Sequence, residues 1–584
     1  MKRFVADFET TTDITNCFVW SYAICDIENT EDVTIGLTIT DFMKWCEEND
    51  NCVVYFHNLK FDGQFIMYWL FQNGFNHITD IGKRATKTFQ TLISDKGQFY
   101  QIEVLFEVRG NKVNRVIFQD SLKLIPLSVE QIAKSFDLEI QKLEIDYNLH
   151  NGLPEGSPIS PEEEEYIKHD VQIVAKALNY FFSQGLDKMT IGSCALNEYK
   201  KIITKRCFKR YYPIPKYDED VRKSYRGGFT YLNPKFANRI LGDGIVLDVN
   251  SLYPSVMRYE YMPFGTPIYF EGKYEEDSIY PLYTQMFKCQ FKIKKNKIPT
   301  IQIKYGSLFK TNEYLTSSGD VEQILCLNSI DLKLFFEQYD VYNIEWISGW
   351  KFKSTKGLFD EYIDKWSANK IQAKKDKNRG MYLISKLFLN SLYGKFGTGT
   401  SVVEKVPYLD NGVIKYKDGE MEQKDGIYIA VASFITSYAR LKTISSAQKI
   451  TDNYVSGKSK VEFVYADTDS LHLILNGESI DKFLNESGLD IDDTKLGAWK
   501  FETKFNKSKF LRQKCYIENS TEDVLNPEPD YEMKITISGM PKECYKYVTF
   551  DNFKMGASYK GKLQPTRCEG GVVLMPVDFT IKDV

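Results

Sequence analysis

The chain has 584 residues, 43% hydrophobic and 14% aromatic, enough for about four folding units and unlike a disordered composition. Its net charge of −4 lacks the basic excess of a dedicated nucleic-acid binder, but the charge is uneven. Residues 1–190 hold 17 basic against 29 acidic residues, net −12, and residues 191–584 hold 58 against 50, net +8. The second part is therefore better suited to phosphate contact. Apolar runs such as Phe65–Phe71 are too short to span a bilayer, and Lys2 and Arg3 lead into Asp7 and Glu9 with no leader-like apolar core. Eleven scattered cysteines without a CxxC pair fit a reduced, cytoplasmic setting without structural zinc.

In chain order, strand-like runs at Arg3–Phe8, Asn51–Phe56, Gln101–Val108 and Arg115–Phe118 alternate with helical stretches, an α/β pattern. Asp7 and Glu9 stand at i and i+2 of the first strand, so both point to one face. Alone, "DFET" is ordinarily a strand running to a solvated edge. Asn58 and Asp62 follow the next apolar strand in "YFHNLKFDG". A helix start comes at 160–163: Ser160 as N-cap, Pro161 in the first turn and Glu163 closing a capping box. In that helix Tyr166 and Asp170 are i, i+4 neighbours beside the apolar stripe Ile167, Val171, Val174 and Leu178, while Glu162–Glu165 read as solvated partners of the helix dipole. Four acids from three elements plus a tyrosine meet the needs of two-metal phosphodiester hydrolysis.

A boundary is expected near 210–235, where "YYPIPKYDED" runs into "YRGGFTYLNP". Next, "GIVLDVNSLYPSVM" is an apolar strand ending in Asp248, an acid that taken alone reads as a helix N-cap. Residues 260–357 mix strand patterns with turns. The helix "YLISKLFLNSLYGKF" is apolar except for a stripe of Lys386, Asn390 and Tyr393, a lining for a cleft, where Lys suits a phosphate and Gly394 admits a close backbone. Asn411-Gly412 marks a hairpin within 397–425. "VEFVYADTDSLHLIL" reads as a hairpin whose turn presents Asp467 and Asp469, like charges that a cation would neutralise. The tail from about 526 reads as short strands and turns.

The order strand-Asp with SLYPS, then KxxxNSxYG, then YxDTDS resembles the family B DNA polymerases, over almost the whole chain. The N-terminal acids resemble the DEDD-type 3′–5′ exonucleases, in the variant with Tyr ahead of the last Asp. "YRGGF" at 225–229, insertions after the first two polymerase motifs, and "KCY" at 514–516 resemble the protein-primed branch, that of the phi-29-like phage enzymes. The resemblance implies an α/β and α+β multidomain chain: an RNase H-like 3′–5′ exonuclease (1–190), then a right-hand polymerase. Its parts would be palm (191–259 and 427–525), a terminal-protein-docking insertion (260–357), fingers (358–396), a strand-displacement hairpin (397–426) and thumb (526–584).

The resemblance also implies roles. Asp7, Glu9, Asp62 and Asp170 would hold two Mg²⁺, Tyr166 would orient the attacking water, and Lys142 would contact the scissile phosphate. His57, Asn58, Phe61, Ser121 and Leu122 would hold the frayed primer end, although His57 and Phe61 read equally well as core. Asp248, Asp469 and the Val249 carbonyl would hold the polymerase pair of Mg²⁺ (Mn²⁺ as a substitute), with Asp467 in a lesser role. Lys386 would contact the dNTP triphosphate, Tyr253 would close the sugar pocket against a 2′-hydroxyl with Tyr393 stacked on it, and Asn390 would lie beside the base. Tyr225, Arg226, Gly227 and Gly228 would grip the template. Lys514 and Tyr516, on one face of a strand, would steady the primer terminus, and Gly394 would face DNA. Tyr382 stands where the family usually has a second fingers Lys, so either Arg379 or Lys370 completes the triphosphate grip. The expected partners are DNA, dNTPs and a terminal protein acting as primer, with the chain a monomer or a heterodimer with that protein in a host cytoplasm, away from membranes. Two other readings share these residues: a nucleic-acid-primed family B enzyme, and a nucleic-acid-binding replication scaffold with decayed sites.

Overall fold

The computed structural model describes every residue except 215, 303, 306–307, 310–312, 524–528 and 583–584, and only the backbone of 304–305 and 308–309. The N-terminal unit is built on strands β1 (Lys2–Thr10), β2 (Val19–Asp26), β3 (Val33–Gly36), β4 (Cys52–Phe56), β5 (Asn76–His77), β6 (Thr88–Ile93), β7 (Phe99–Arg109) and β8 (Lys112–Asp120). Their order is β3-β2-β1-β4-β8-β7-β6-β5, with β1, β4 and β8 mutually parallel and β2 and β3 antiparallel, an RNase H-like core. β4 starts at Cys52, one residue later than expected, because Asn51 is left-handed (φ 55°).

Period-2 alternation in β1 sends Phe4, Ala6 and Phe8 into a core with Phe42 and Phe56. Val5 goes to the other side, against Ile167, Val171, Val174 and Leu178 of helix Pro161–Ser183. Asp7 and Glu9 share the face of Val5, so the strand delivers them to the helix that carries Tyr166 and Asp170. The capping box at Ser160 and Glu163 fixes where that helix begins. Glu163 is not a solvated residue: it is buried, and His150 Nε2 lies 2.9 Å from its carboxylate.

The second large sheet uses β9 (Thr230–Leu232), β10 (Ile240–Leu241), β11 (Gly244–Val249), β12 (Glu462–Asp467), β13 (Ser470–Ile474), β14 (Trp499–Arg512), β15 (Cys515–Thr521) and β16 (Glu532–Ile537). It runs β16-β15-β14-β11-β13-β12-β9, with β10 on β14. The central strand β11 lies antiparallel between β13 and β14, so its end meets the β12–β13 turn although more than 200 residues separate them. Helix Ile429–Val455, buried almost all round, underlies this sheet. The expected boundary at 525/526 lies outside the described residues; β16 beyond it pairs with β15 along its length. Pro215, inside the boundary expected near 210–235, is also outside them.

Residues 262–355 hold a four-stranded antiparallel sheet with its own core of Phe287, Phe291, Phe335 and Tyr339. Helices Asp360–Lys375 and Arg379–Phe396 form an antiparallel pair. Strands Ser401–Asp410 and Val413–Gln423 form the expected hairpin, with positive φ at both Asn411 (48°) and Gly412 (76°), the requirement of a type I′ turn. The tail differs from the expected short strands. It is a long ribbon, Ser558–Cys568 against Gly571–Thr580, whose tip packs on the N-terminal unit beside Cys17 and Phe65.

Candidate active sites

The first cluster forms where β1, the start of helix Leu59–Gln72 and helix Pro161–Ser183 converge. One carboxylate oxygen from each of Asp7, Glu9 and Asp170 lies within 4.8 Å of the others. Asp62 and Asp170 each keep one buried oxygen with no hydrogen-bond partner among the described residues. Burial pushes Asp7 up to about 7, with the Asp170 charge adding to it, and drives Glu9 and Asp62 well above the carboxylate range for the same reason. Lys142 compensates in part: its ammonium pairs with Asp170 and donates to Tyr166 Oη at 3.2 Å. A protein cation already sits where oxygen donors crowd, and two lone oxygens remain, so the donor set suits divalent cations.

Tyr147, which the sequence reading missed, shares a 3.0 Å hydrogen bond with Tyr166 Oη. An 1,440 Å³ cleft opens over the cluster, lined by His57, Asn58, Phe61, Lys405, Lys415 and Arg567 among others. Ser121 and Leu122 are not in that lining. Ser121 is fully buried, donates to the Phe56 carbonyl at 3.1 Å and meets His57 Nδ1 at 2.9 Å. His57 Nε2 lies 2.6 Å from the Leu127 carbonyl, so both ring nitrogens are engaged. Ser121 and His57 thus anchor the strand end, while Asn58 (φ 84°) and half-buried Phe61 face the cleft.

The second cluster lies on the other sheet. Thr468 is left-handed (φ 64°), and the tight turn it makes is pinned from three sides. Asp469 N–H donates to the Asp467 carbonyl (2.7 Å), Val249 N–H to the Asp469 carbonyl (2.8 Å), and Thr443 Oγ1 to the Thr468 carbonyl (2.7 Å). Asp248, Asp467, Asp469 and Glu502 line one 440 Å³ pocket with Lys514 and Tyr516. Asp248 is no helix cap: helix Leu252–Tyr259 begins after left-handed Ser251 without a side-chain cap bond. Burial pushes Asp248 up to about 7, helped by the Asp469 and Glu502 charges, and Asp469 is raised mainly by burial. Lys500 pairs with Asp248 at 3.6 Å.

Glu502 and Lys500 escaped the sequence reading. Glu502 is the extra residue at a register break between Val246 and Leu247, and such a bulge has no signature in one strand alone. Lys514 does not share a strand with Tyr516. It occupies a left-handed turn (φ 52°) just before β15, where its ammonium pairs with Asp467 at 2.8 Å and its backbone N–H donates to Tyr465 Oη. Tyr516 stacks on Phe510 with ring centroids 5.1 Å apart.

On helix Arg379–Phe396, Lys386, Asn390 and Gly394 are exposed along one stripe, and the Tyr393 ring lies 4.2 Å from that of Tyr253. No described atom would meet a Cβ on Gly394, so no protein backbone approaches it as expected; the stripe is open there. Lys370 feels the charges of Lys386, Lys500 and Asp248, whereas Arg379 points away, to the Asp137 carboxylate (3.3 Å) and the Lys134 carbonyl (3.1 Å). Of the two candidates for the second triphosphate cation, Lys370 is the one that shares the field of Lys386 and Asp248.

In the 225–229 loop, a Cβ on Gly228 would lie 2.7 Å from Thr468 and 3.0 Å from Tyr253 Oη, so this glycine lets the loop rest on the acidic turn. Arg226 departs from its expected grip on a template. Its side chain is buried beside Asp331 and Arg440, and Arg440 also donates to the Arg226 and Gly227 carbonyls. The loop is held from beneath, with Tyr225 packed beside Gly397 and Gly227 exposed.

The sequence pattern of the family "DNA polymerase type B, organellar and viral" matches residues 44–155 and 152–480. The chain belongs to that family. Among relatives, the polymerase is 43% identical over 593 residues to the DNA polymerase of Bacillus phage phi29, covering 100% of this chain and 99% of the other. It is 42% identical to the Bacillus phage Nf enzyme and 31% identical to that of Streptococcus phage Cp-1, again over essentially full lengths. The phi29 DNA polymerase solved with primer-template DNA and incoming nucleotides superposes with a TM-score of 0.91 at 43% identity, covering both chains completely. The single-stranded DNA complex of that enzyme matches equally well at 42%. The expected fold, an exonuclease-type domain followed by a right-hand polymerase domain, therefore stands for this polymerase. Among the described residues, no helix is long and apolar enough to cross a membrane.

Proposed function

We propose that the polymerase carries out protein-primed, DNA-directed DNA synthesis with 3′–5′ proofreading at two separate two-metal sites. The observation that carries this reading is the presence of two distinct acid clusters, Asp7–Glu9–Asp62–Asp170 and Asp248–Asp469, each with raised carboxyl pKa values and its own opening. Such groups, expensive to keep ionised when buried, suit divalent cation binding. Mg²⁺, or Mn²⁺ in its place, would supply Lewis acidity and charge neutralisation at both sites, held by those carboxylates with the Val249 carbonyl assisting.

The chain's own groups then divide the work. In synthesis, Lys386 and Lys370 neutralise the dNTP triphosphate, and the Tyr253–Tyr393 stack walls the sugar pocket. Asn390 flanks the base, and Lys514 and Tyr516 steady the primer end. Tyr225, Gly227, Gly228 and exposed Gly394 form the floor along which the template passes. In proofreading, Tyr166 Oη orients the attacking water, and Lys142 Nζ offsets part of the burial cost at Asp170 and lies ready for the scissile phosphate. Asn58 and Phe61 hold the terminal nucleotides, with His57 and Ser121 as their support.

The domain roles follow the ranges given from the sequence: exonuclease 1–190, palm 191–259 and 427–525, terminal-protein docking 260–357, fingers 358–396, strand-displacement hairpin 397–426 and thumb 526–584. Ile268, Tyr269 and Ile324, exposed on the 262–355 sheet, suit a protein partner. The same reading puts the polymerase in a host cytoplasm, as a monomer or a heterodimer with the terminal protein, and its likeness to phage DNA polymerases accords with a host setting. The test is transfer of one labelled dNTP to a candidate terminal protein with Mg²⁺ and no oligonucleotide. Labelled protein is the expected product. Label only in an added primer would establish the nucleic-acid-primed alternative.

A further inference from the structure

The thumb ribbon reaches the N-terminal unit through its tip, and a cysteine stands on each side of that contact. Cys568 closes one strand of the ribbon, opposite Gly571, and Cys17 lies on the N-terminal unit in the same buried cluster as Phe65. The approach is close. A Cβ on Gly570 (φ 93°) would fall 1.9 Å from the Cys17 carbonyl, and one on Gly571 would fall 2.4 Å from the Phe65 ring. Cys17 donates its S–H to the Val572 carbonyl at 3.8 Å, and the Cys568 thiol acts on it within the same buried cluster. Both residues are only 7–8% exposed, and the chain on either side of Cys568, at Arg567 and Val572, lines the 1,440 Å³ cleft.

We propose that Cys17 and Cys568 form a reversible disulfide latch that fastens the thumb ribbon to the exonuclease domain. The neighbouring Cys17 thiol holds the Cys568 thiol below its ordinary range and makes Cys568 the attacking sulfur. Its thiolate attacks one sulfur of a low-molecular-weight disulfide, RSSR, and RS⁻ leaves and takes a proton as RSH. Cys17 then loses its proton and attacks Cys568 in the mixed disulfide; the Cys17–Cys568 bond forms and the second RS⁻ departs. Two protein thiols are oxidised and one RSSR is reduced to two RSH.

The bond ties residue 17 to residue 568 and closes covalently the ring that runs from the exonuclease domain through the palm to the thumb. The hairpin at 401–423 lies in the same ring, since Tyr416 Oη donates to Gln64 (2.8 Å) and the Arg567 guanidinium covers the Tyr416 ring (5.1 Å). The consequence for DNA rests on the function proposed above: a duplex inside the ring would be trapped, and a circular template outside it shut out.

The full chain is treated with oxidised glutathione, without DNA, then thiols are titrated and peptides mapped under non-reducing conditions. Loss of two thiols and a Cys17–Cys568 peptide is expected, absent from both Cys17→Ser and Cys568→Ser and reversed by dithiothreitol. Unchanged thiols, or the same loss in both variants, would overturn the latch. A second arm oxidises enzyme already bound to a primed circle and chases it with competitor DNA. Dissociation at least about tenfold slower than for the reduced enzyme is expected, while enzyme oxidised beforehand loses loading on circles but not on linear primer-templates. Equal retention by a verified disulfide form would overturn the ring. A reduced enzyme inactive on every template would contradict the proposed function and leave the thiol result standing.

Discussion

Lys514 Nζ lies 2.8 Å from the Asp467 carboxylate, so the first acid of the Asp-Thr-Asp turn already holds a cation, two residues from an acid raised by burial. The turn thereby separates two carboxylates that look equivalent in sequence. Asp469→Asn is expected to lower primer extension by at least ~10³-fold, and Asp467→Asn by about 10–100-fold, the size of losing a supporting contact. Single-turnover rates with saturating dNTP measure the difference. Equal losses would mean that Asp467 has the same standing as Asp469.

The fingers offer a similar contrast. Lys370 feels Lys386, Lys500 and Asp248, while Arg379 is bound to Asp137 on the exonuclease domain. Lys370→Ala is expected to raise the KM for dNTP about tenfold or more, the scale of one charged hydrogen bond, with Arg379→Ala close to the parent. Steady-state kinetics on one primer-template separates them, and the reverse order would put Arg379 in the triphosphate grip.

Arg440 pairs with Asp331 in a buried site where both are at most 10% exposed, and buried Arg226 feels the same carboxylate. Asp331→Asn leaves the buried Arg440 guanidinium without its carboxylate, and such breakage costs about 3–5 kcal/mol. A lower urea midpoint is expected, together with weaker template binding, because Arg440 also carries the carbonyls of the 226–227 loop. An unchanged midpoint would contradict the pairing.

Metal and pH are coupled through Asp248 and Asp7, both pushed up to about 7 from an ordinary value of 3.8. A carboxyl raised in the folded state favours folding while protonated, and that contribution is lost as pH rises through about 7. Bound Mg²⁺ offsets the loss by pairing with the ionised form, and below pH 7 its affinity should fall about tenfold per pH unit for each proton displaced. Mg²⁺ is therefore expected to raise the apparent Tm more at pH 8 than at pH 6. Calorimetric scans in EDTA and in Mg²⁺ at both values check this; an equal or opposite effect would contradict it.

What could be read from the sequence divides along physical lines. Local periodicity placed Asp7 and Glu9 on one face, the capping box located the helix of Tyr166 and Asp170, and Asn411-Gly412 fixed a turn. Glu502 was hidden because a bulge depends on its partner strand, and Tyr147 because its hydroxyl gains meaning only beside Tyr166. Arg226, Ser121 and Gly394 sit in motifs that suggest contact with DNA. Yet Arg226 and Ser121 are buried, Arg226 near Asp331 and Ser121 against His57, orientations set by tertiary packing, whereas Gly394 lies on an open stripe.

The claim at the centre is that two acid clusters work as separate active sites, and one measurement addresses it directly. Asp7→Ala/Glu9→Ala and Asp469→Asn are each assayed with Mg²⁺ for degradation of a mismatched 3′ end and for extension of a matched primer. The first variant is expected to lose degradation while extending within about twofold of the parent, and the second to do the converse. Loss of both activities in either variant would contradict the account.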